Sequence, residues 1–165
     1  MGRRAYLALG SNVGDRLQHL RDAIARLRAT PGANLLRLSR VYETEPVGVT
    51  KQPRFLNMVV EVEMGEEMSA RDLLKIAKSI ECELGRIERE RWGPREIDID
   101  VLIVDDEQVK DGAFELPHPR MWERGFVMVP LAELAPELRG PSGETAAQIA
   151  ARLREEQGVH ADVRL

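Results

Sequence analysis

An α+β fold with an antiparallel-rich sheet is the architecture that the amino-acid sequence predicts. Some stretches alternate apolar and polar residues, as half-buried strands do, and others repeat with the 3.6-residue period of a helix. The two patterns follow one another in the order β-α-β-β-α-β, with further helices behind, which is typical of a ferredoxin-like sandwich. The length of 165 residues fits a single domain over residues 1–165.

The first half of the pattern is a strand, a helix and a second strand. The strand at residues 6–9 stops at a Gly-Ser-Asn cluster, and Asp15 follows as the expected N-cap of the helix. One apolar face of that helix is formed by Leu17, Leu20, Ile24 and Leu27. Beyond Pro31, apolar residues alternate with polar ones, which predicts a half-buried strand through Leu36, Leu38 and Val41.

The second half repeats this order. A Val-rich strand is predicted at residues 55–64, and a helix is capped by Ser69 and ended by Gly85. The clearest strand of the chain is 97–104, with a turn and a short hairpin partner near Val109 behind it.

Two helices and two long irregular stretches complete the prediction. The first helix, 127–134, contains a proline at which it is expected to kink, and the second, 145–154, is capped by Ser142 or Thr145. The irregular stretches are 43–54 and 86–95, and loops of that length inside compact domains are often functional.

Composition narrows the class of protein. The net charge of −4 disfavours nucleic-acid binding as the main function, because such binding calls for a basic surface. No apolar run approaches the roughly 20 residues of a membrane span. The one cysteine, Cys82, excludes an internal disulfide, which favours a reducing, cytoplasmic setting, and it is expected to pack in the interior. The oligomeric state is left open, and a monomer is compatible with the sequence.

An aspartate pair is the strongest chemical signal. Asp98 and Asp100 lie two residues apart on a predicted strand, so they share one face, together with Leu102 and Val104. Two like charges that close together repel each other unless a cation lies between them. Mg²⁺ suits such a pair, because it binds one or two carboxylates together with substrate phosphates. The alternative is a solvated strand end with two surface aspartates.

An arginine-rich loop precedes the pair. Arginines at positions 86, 89, 91 and 95 can bind phosphate oxygens, although neighbouring glutamates could equally make this a solvated loop. Together, a cationic loop and a carboxylate pair are what a metal–polyphosphate site needs. His118, between two prolines, is a further candidate. Residues 10–15 lack the GK[ST] of a P-loop and are better read as a structural turn.

At this point several motifs resemble those of one family, the 6-hydroxymethyl-7,8-dihydropterin pyrophosphokinases of folate biosynthesis. In chain order they are Leu9-Gly10-Ser11-Asn12, Tyr42-Glu43-Thr44-Glu45-Pro46-Val47-Gly48, Phe55-Leu56-Asn57, Arg91-Trp92-Gly93-Pro94-Arg95 with Ile97-Asp98-Ile99-Asp100, Pro117-His118 and Arg124-Gly125-Phe126. They run in order from residue 7 to about residue 140, and the last 25 residues carry no motif.

The resemblance implies a transferase that moves pyrophosphate from ATP to the hydroxymethyl oxygen of the dihydropterin and releases AMP. By similarity, two Mg²⁺ ions would be held by Asp98 and Asp100. Arg86 and Arg95 would bind the phosphates, and Trp92 would help close their loop. The remaining implied site residues are Thr44, Val47, Phe55, Asn57 and Phe126 for the pterin, and Glu81, His118 and Arg124 for the nucleotide. The expected partners are the small-molecule substrates, ATP and the dihydropterin, with no nucleic acid and no membrane, and a partnership with another folate enzyme is left open.

The chain departs from the family pattern in places. Phe55 stands where many members have Tyr, which keeps the stacking face and loses a hydroxyl. Ala113 and Glu115 stand where some members have basic residues near ATP.

Three other functions remain open on the residues alone. A non-catalytic ferredoxin-like ligand-binding module would leave the aspartate pair and the arginine loop unexplained. An RNA-binding domain would need more aromatic residues and a basic surface. A kinase that transfers the γ-phosphoryl group differs only in its product, which would be ADP.

Overall fold

The computed structural model describes residues 2–44, 53–85, 96–161 and 164–165. Its elements follow the chain in this order: β1 (Arg3–Ser11), α1 (Arg16–Arg28), β2 (Ala33–Leu38), β3 (Tyr42–Thr44), β4 (Phe55–Met64), α2 (Ala70–Glu83), β5 (Asp98–Val104), β6 (Val109–Asp111), β7 (Phe114–Leu116), a 3₁₀ turn (Met121–Glu123), α3 (Gly125–Leu134), α4 (Ala146–Gln157) and β8 (His160–Ala161).

A six-stranded antiparallel sheet lies at the centre of the described residues. Its strand order is β5-β1-β4-β3-β8, and β2 also pairs with β4. The two consecutive strands β1 and β2 are therefore separated by β4, as in a split β-α-β unit. The ferredoxin-like α+β prediction is confirmed.

Helices cover both faces of the sheet. On one face, α1 and α2 pack on Leu7, Leu9, Met58, Val60 and Ile99, all of which are buried. On the other face, α3 and α4 pack on Val59, Leu102 and Ile103. Because both faces are covered, polar side chains on the sheet are confined to its ends or need partners of their own.

Capping residues begin the helices where the sequence predicts. The Asp15 side chain accepts a hydrogen bond from the Gln18 N–H. Ser69 and Asp72 cap α2 reciprocally, and Thr145 does the same for α4 with Gln148, which decides between Ser142 and Thr145.

Two strand predictions needed correction. The half-buried strand through Leu36 and Val41 is interrupted, because the Ser39 hydroxyl accepts the Val59 N–H at 2.9 Å where a backbone carbonyl would otherwise pair. The strand near Val109 does not pair with β5; it forms a separate two-stranded sheet with β7.

The strict alternation predicted along β5 is wrong beyond Val101. Val101 pairs with Leu7 and Ile103 with Tyr6, so Leu102 is an extra residue, a β-bulge. Leu102 and Ile103 consequently both face α3 and α4, whereas Val104 faces the opposite core. Asp98 and Asp100 lie before the bulge and share one face, as predicted.

Cys82 is exposed, so the expectation that it packs in the interior is wrong. The buried face of α2 is instead formed by Ala70, Leu73, Ala77, Ile80 and Glu81. No helix in the described parts of the chain is long and apolar enough to cross a membrane.

Candidate active site

A row of polar residues crosses four strands at one end of the α3/α4 face. Asp98 on β5 lies opposite Gly10 on β1, and Gly10 lies opposite Asn57 on β4. Thr44 on β3 lies opposite Phe55, two residues from Asn57. Since directly opposed residues share a face of the sheet, pairing alone brings these side chains together. They come from four separate stretches of the sequence.

Gly10 lets the Asn57 amide lie across β1. A Cβ atom at Gly10 would stand 2.7 Å from the Asn57 Oδ1 and 3.7 Å from the Phe55 ring. The Asn57 Nδ2 donates to the Thr44 Oγ1 at 2.7 Å, and both residues are buried. The amide is therefore fixed in orientation before any ligand arrives. The prediction that residues 10–15 form a plain turn missed this role. Gly10 was the signal in the sequence, because a glycine allows another side chain to approach the backbone closely.

Two aromatic residues border the row. Phe55 is half-buried at the start of β4, and Phe126 is half-buried in the first turn of α3. The Arg124 guanidinium lies 5.6 Å from the centre of the Phe126 ring, within cation–π range. Both rings keep exposed surface that a flat ligand could cover.

Burial and the neighbouring Asp98 carboxylate raise the pKa of Asp100 from 3.8 to about 7, while Lys78 and Arg124 lower it. Burial and the like charge disfavour full ionisation of the pair, and a cation bound there would favour it. No group of three or more His, Cys, Asp or Glu residues in the described ranges could hold a metal ion. Two carboxylates, with the other ligands supplied by substrate, fit Mg²⁺.

Arg124 and His118 lie on the same side of the site. Asp98, Asp100 and Arg124 interact electrostatically, and His118 feels both Asp98 and Arg124. Burial, followed by the nearby Arg124 charge, lowers the pKa of His118, so the imidazole is neutral at pH 7. Its Nδ1 accepts the Arg120 N–H at 3.3 Å, which leaves the proton on Nε2 as a donor.

A cleft of about 200 Å³ opens beside Asp100. Its walls include Leu74, Lys78, Phe114 and His118. A lining that combines apolar side chains with a lysine and an imidazole suits part of a nucleotide, where a base and phosphate oxygens are bound together. Lys78 was not identified from the sequence, where it reads as one more exposed helix charge.

Glu81 is 2% exposed and lies against the edge of β5 that faces away from β1. Its Oε2 accepts the Ile99 N–H at 2.7 Å, on the residue between the two aspartates, and Lys78 lies 3.4 Å away. The structure thus places Glu81 against the strand that carries the aspartates. Its predicted role at the nucleotide stays a prediction. Four other predicted site residues lie outside the described residues: Val47, Arg86, Trp92 and Arg95.

The raised pKa of Asp100 predicts how stability depends on pH. The folded state favours the protonated Asp100 carboxyl. The free energy of unfolding of the protein should therefore fall as the pH rises from about 4 to about 7. The rise from 3.8 to about 7 sets an upper limit of about 4 kcal/mol, and the fall should be about 1–2 kcal/mol, because Asp100 is only half-buried and titrates together with Asp98. Urea denaturation of the metal-free protein at pH 4.5 and pH 8 measures the fall, which Asp100→Asn should remove. An unchanged pH dependence in that variant would contradict the assignment.

The chain is similar to known proteins of one family. The family model of 7,8-dihydro-6-hydroxymethylpterin-pyrophosphokinase matches residues 6–136. A 2-amino-4-hydroxy-6-hydroxymethyldihydropteridine pyrophosphokinase from Methylorubrum extorquens is 47% identical over 150 residues, covering 91% of this chain and 93% of the relative. The Bacillus subtilis protein of the same name is 44% identical over 138 residues, covering 84% and 81%.

Solved structures show the same fold within longer chains. Plasmodium falciparum HPPK-DHPS with pteroate matches 94% of this chain with a TM-score of 0.71 at 15% identity. An HPPK-DHPS in complex with substrates matches with a TM-score of 0.71 at 13% identity. This chain spans 44% of the length of each. At such identities the likeness concerns the fold alone. The family match and the bacterial relatives decide the identity: the chain belongs to the 7,8-dihydro-6-hydroxymethylpterin-pyrophosphokinase family.

Proposed function

We propose that the row of polar residues aligns the hydroxymethyl oxygen of 6-hydroxymethyl-7,8-dihydropterin with the β-phosphorus of ATP, so that pyrophosphate is transferred and AMP leaves. The chain is a transferase of folate biosynthesis that uses ATP as co-substrate. The observation that carries the proposed alignment is the position of Gly10, directly between Asn57 and Asp98 on adjacent strands. A pterin held at Asn57 would lie beside the carboxylate pair.

The pterin half of the site is built on β3, β4 and α3. A pterin ring has an edge of donors and acceptors, and an amide side chain can match one of each. Asn57 and Thr44 are hydrogen-bonded to each other and would read that edge, with the backbone near Val47 completing it. Phe55 and Phe126 would cover the two ring faces.

The phosphate half is built on β5 and the residues around it. Asp98 and Asp100 would hold two Mg²⁺ ions, which would supply positive charge to the ATP phosphates. Arg124 and neutral His118, which lie near the two aspartates, would bind nucleotide oxygens. Arg86, Arg95 and Trp92 would act from the preceding loop.

No described side chain needs to act as a general base. Phosphoryl transfer depends mainly on positioning and on charge stabilisation, and the alcohol proton can leave with solvent as the new P–O bond forms. The fixed Asn57–Thr44 pair supplies the positioning on the pterin side.

Product analysis tests the proposal directly. The purified protein is incubated with ATP, Mg²⁺ and 6-hydroxymethyl-7,8-dihydropterin, and nucleotides are separated by ion-exchange chromatography. We expect AMP and the pterin diphosphate in equal amounts. ADP as the product would indicate an ordinary γ-phosphoryl kinase, and ligand binding without turnover would indicate a non-catalytic module.

Phe55→Ala should weaken pterin binding far more than ATP binding. Stacking of an aromatic pair contributes about 0.5–1.5 kcal/mol beyond area burial, and the lost apolar contact adds to it, so we expect a pterin Kd raised about 10- to 100-fold. Isothermal titration with each ligand separately measures the effect. The matched control is Phe114→Leu, in the wall of the cleft beside Asp100. This variant should change the affinity for ATP more than the affinity for pterin. Equal losses for both ligands in Phe55→Ala would argue against a pterin-specific ring.

We also propose that residues 1–165 form one domain that works as a monomer in the cytoplasm. The described elements pack on the two faces of one sheet, and the one cysteine, Cys82, is exposed, which suits a reducing compartment. Sedimentation equilibrium of the purified chain tests the monomer.

A further inference from the structure

The C-terminal end of α4 contacts the segment that carries Arg124. The Gln157 side chain donates from Nε2 to the Glu123 carbonyl at 2.8 Å and accepts the Gly125 N–H on Oε1 at 2.7 Å. One amide group therefore binds the backbone on both sides of Arg124. Gln157 lies beyond residues 6–136, which the family model matches, and in a stretch without sequence motifs.

Arg124 occupies an unfavourable place for local stability. It is the N-cap residue of α3 and makes no side-chain capping bond there. N-caps favour Ser, Thr, Asp or Asn, and the positive end of a helix dipole disfavours a cation. Such a local conflict is expected where a side chain is kept for function. Gln157 supplies the missing cap from another helix, because the Gly125 N–H is one of the helix's unpaired donors.

The same end of α4 packs closely against Gly125. A Cβ atom at Gly125 would stand 2.9 Å from the Val159 Cγ2, 3.0 Å from the Gln157 Oε1 and 3.3 Å from the Leu153 carbonyl. Gly158 has a φ of 63°, which lets the chain turn back so that Val159 lies beside Gly125. The position of the first turn of α3 is thus set by the C-terminal segment.

We propose that Gln157 is a positioning residue for the transfer reaction, which acts by holding the Arg124 guanidinium toward Asp98 and Asp100. This rests on the proposed function of Arg124 at the ATP phosphates. The Gln157 residue as a whole is exposed, so its truncation removes two hydrogen bonds and leaves the core intact. A loss of activity would accordingly reflect the placement of Arg124 and not a core defect.

Steady-state kinetics of a double-mutant cycle tests the proposal in the full-length protein. In the wild-type background, we expect Gln157→Ala to lower kcat/KM for ATP about tenfold, and in an Arg124→Ala background less than about twofold. Gln157→Glu keeps an acceptor for Gly125 and loses the donor to Glu123, so an intermediate loss is expected. The control is Thr145→Ala, which removes the N-cap at the other end of α4. In Thr145→Ala the melting temperature should fall about as far as in Gln157→Ala, while kcat/KM should stay nearly unchanged.

Each outcome decides the matter. Two results would show a merely structural role and overturn the proposal. One is an equal loss of kcat/KM from Gln157→Ala in both backgrounds, and the other is a loss of kcat/KM in Thr145→Ala as large as that in Gln157→Ala. Unchanged kinetics in Gln157→Ala would also overturn the proposal. The proposed function would still stand in that case, provided that the wild-type protein releases AMP. If Arg124→Ala alone had no effect, the proposed role of Arg124 would fail, and with it this inference. A wild-type protein that releases no AMP would instead reject the proposed function itself.

Discussion

Asp98→Ala and Asp100→Ala should each lower kcat by about a thousandfold or more, with the fold retained. Loss of one metal ligand leaves phosphate charge unneutralised in the transition state, at a cost of several kcal/mol, and each 1.36 kcal/mol is a factor of ten in rate. AMP release at saturating ATP and raised Mg²⁺ measures the effect. The matched control is Asp106→Ala, an exposed carboxylate in the turn at the other end of β5, which should keep wild-type turnover.

Stability separates this loss from unfolding. Burial and Asp98 already disfavour the Asp100 carboxylate in the metal-free protein, so Asp100→Ala should keep or raise the melting temperature at pH 8. A variant that melted well below the wild type would show that the aspartate is structural. Near wild-type turnover in either variant would remove the metal assignment.

The second large effect is expected at Glu81. Glu81→Ala should lower the free energy of unfolding by about 2–4 kcal/mol, because it leaves the Ile99 N–H without its carboxylate partner and opens a buried space. Since Ile99 lies between Asp98 and Asp100, we also expect a raised Mg²⁺ requirement. Chemical denaturation and Mg²⁺ titration of the rate measure the two effects.

Glu81→Gln distinguishes the strand contact from a direct contact with nucleotide. Its amide oxygen can still accept the Ile99 N–H, so most of the stability and the Mg²⁺ response should return. Glu83→Ala is the surface control on the same helix, where Glu83 pairs only with the half-exposed Arg26 among the described contacts. If Glu81→Gln were as stable as wild type yet unable to bind ATP, the carboxylate would be a nucleotide ligand, as the family resemblance implies.

The periodic parts of the fold were predictable from the sequence. The strand at Phe55–Met64 and the capped helix after Ser69 were predicted at nearly their observed bounds, because apolar period and capping chemistry agree there. The Asp98–Asp100 pair shares a face for the same reason. The two-residue strand β8 was missed, since only pairing with β3 defines it.

Long-range contacts were not predictable from the sequence. The Gln157 amide binds residues more than thirty positions away, and nothing local distinguishes it from any polar helix end. Likewise, the bond between Glu81 and the Ile99 N–H depends on how α2 lies along the sheet edge. The bulge at Leu102 leaves no trace in the sequence, because both faces of that strand are apolar there.

The bulge at Leu102 lets β5 accommodate the loss of one residue. With Leu102 present, the aspartates face α3 while Val104 faces the opposite core. Deleting Leu102 would restore simple alternation with Val101 still opposite Leu7 and Ile103 still opposite Tyr6, so neither end of the strand would have to turn over. The aspartates and Val104 would keep their faces, and the loss would be confined to the Leu102 side chain, which is buried beneath α3 and α4. A one-residue deletion at Leu102 should therefore be tolerated better than deletion of Ile99, which would place Asp98 and Asp100 on opposite faces of the sheet.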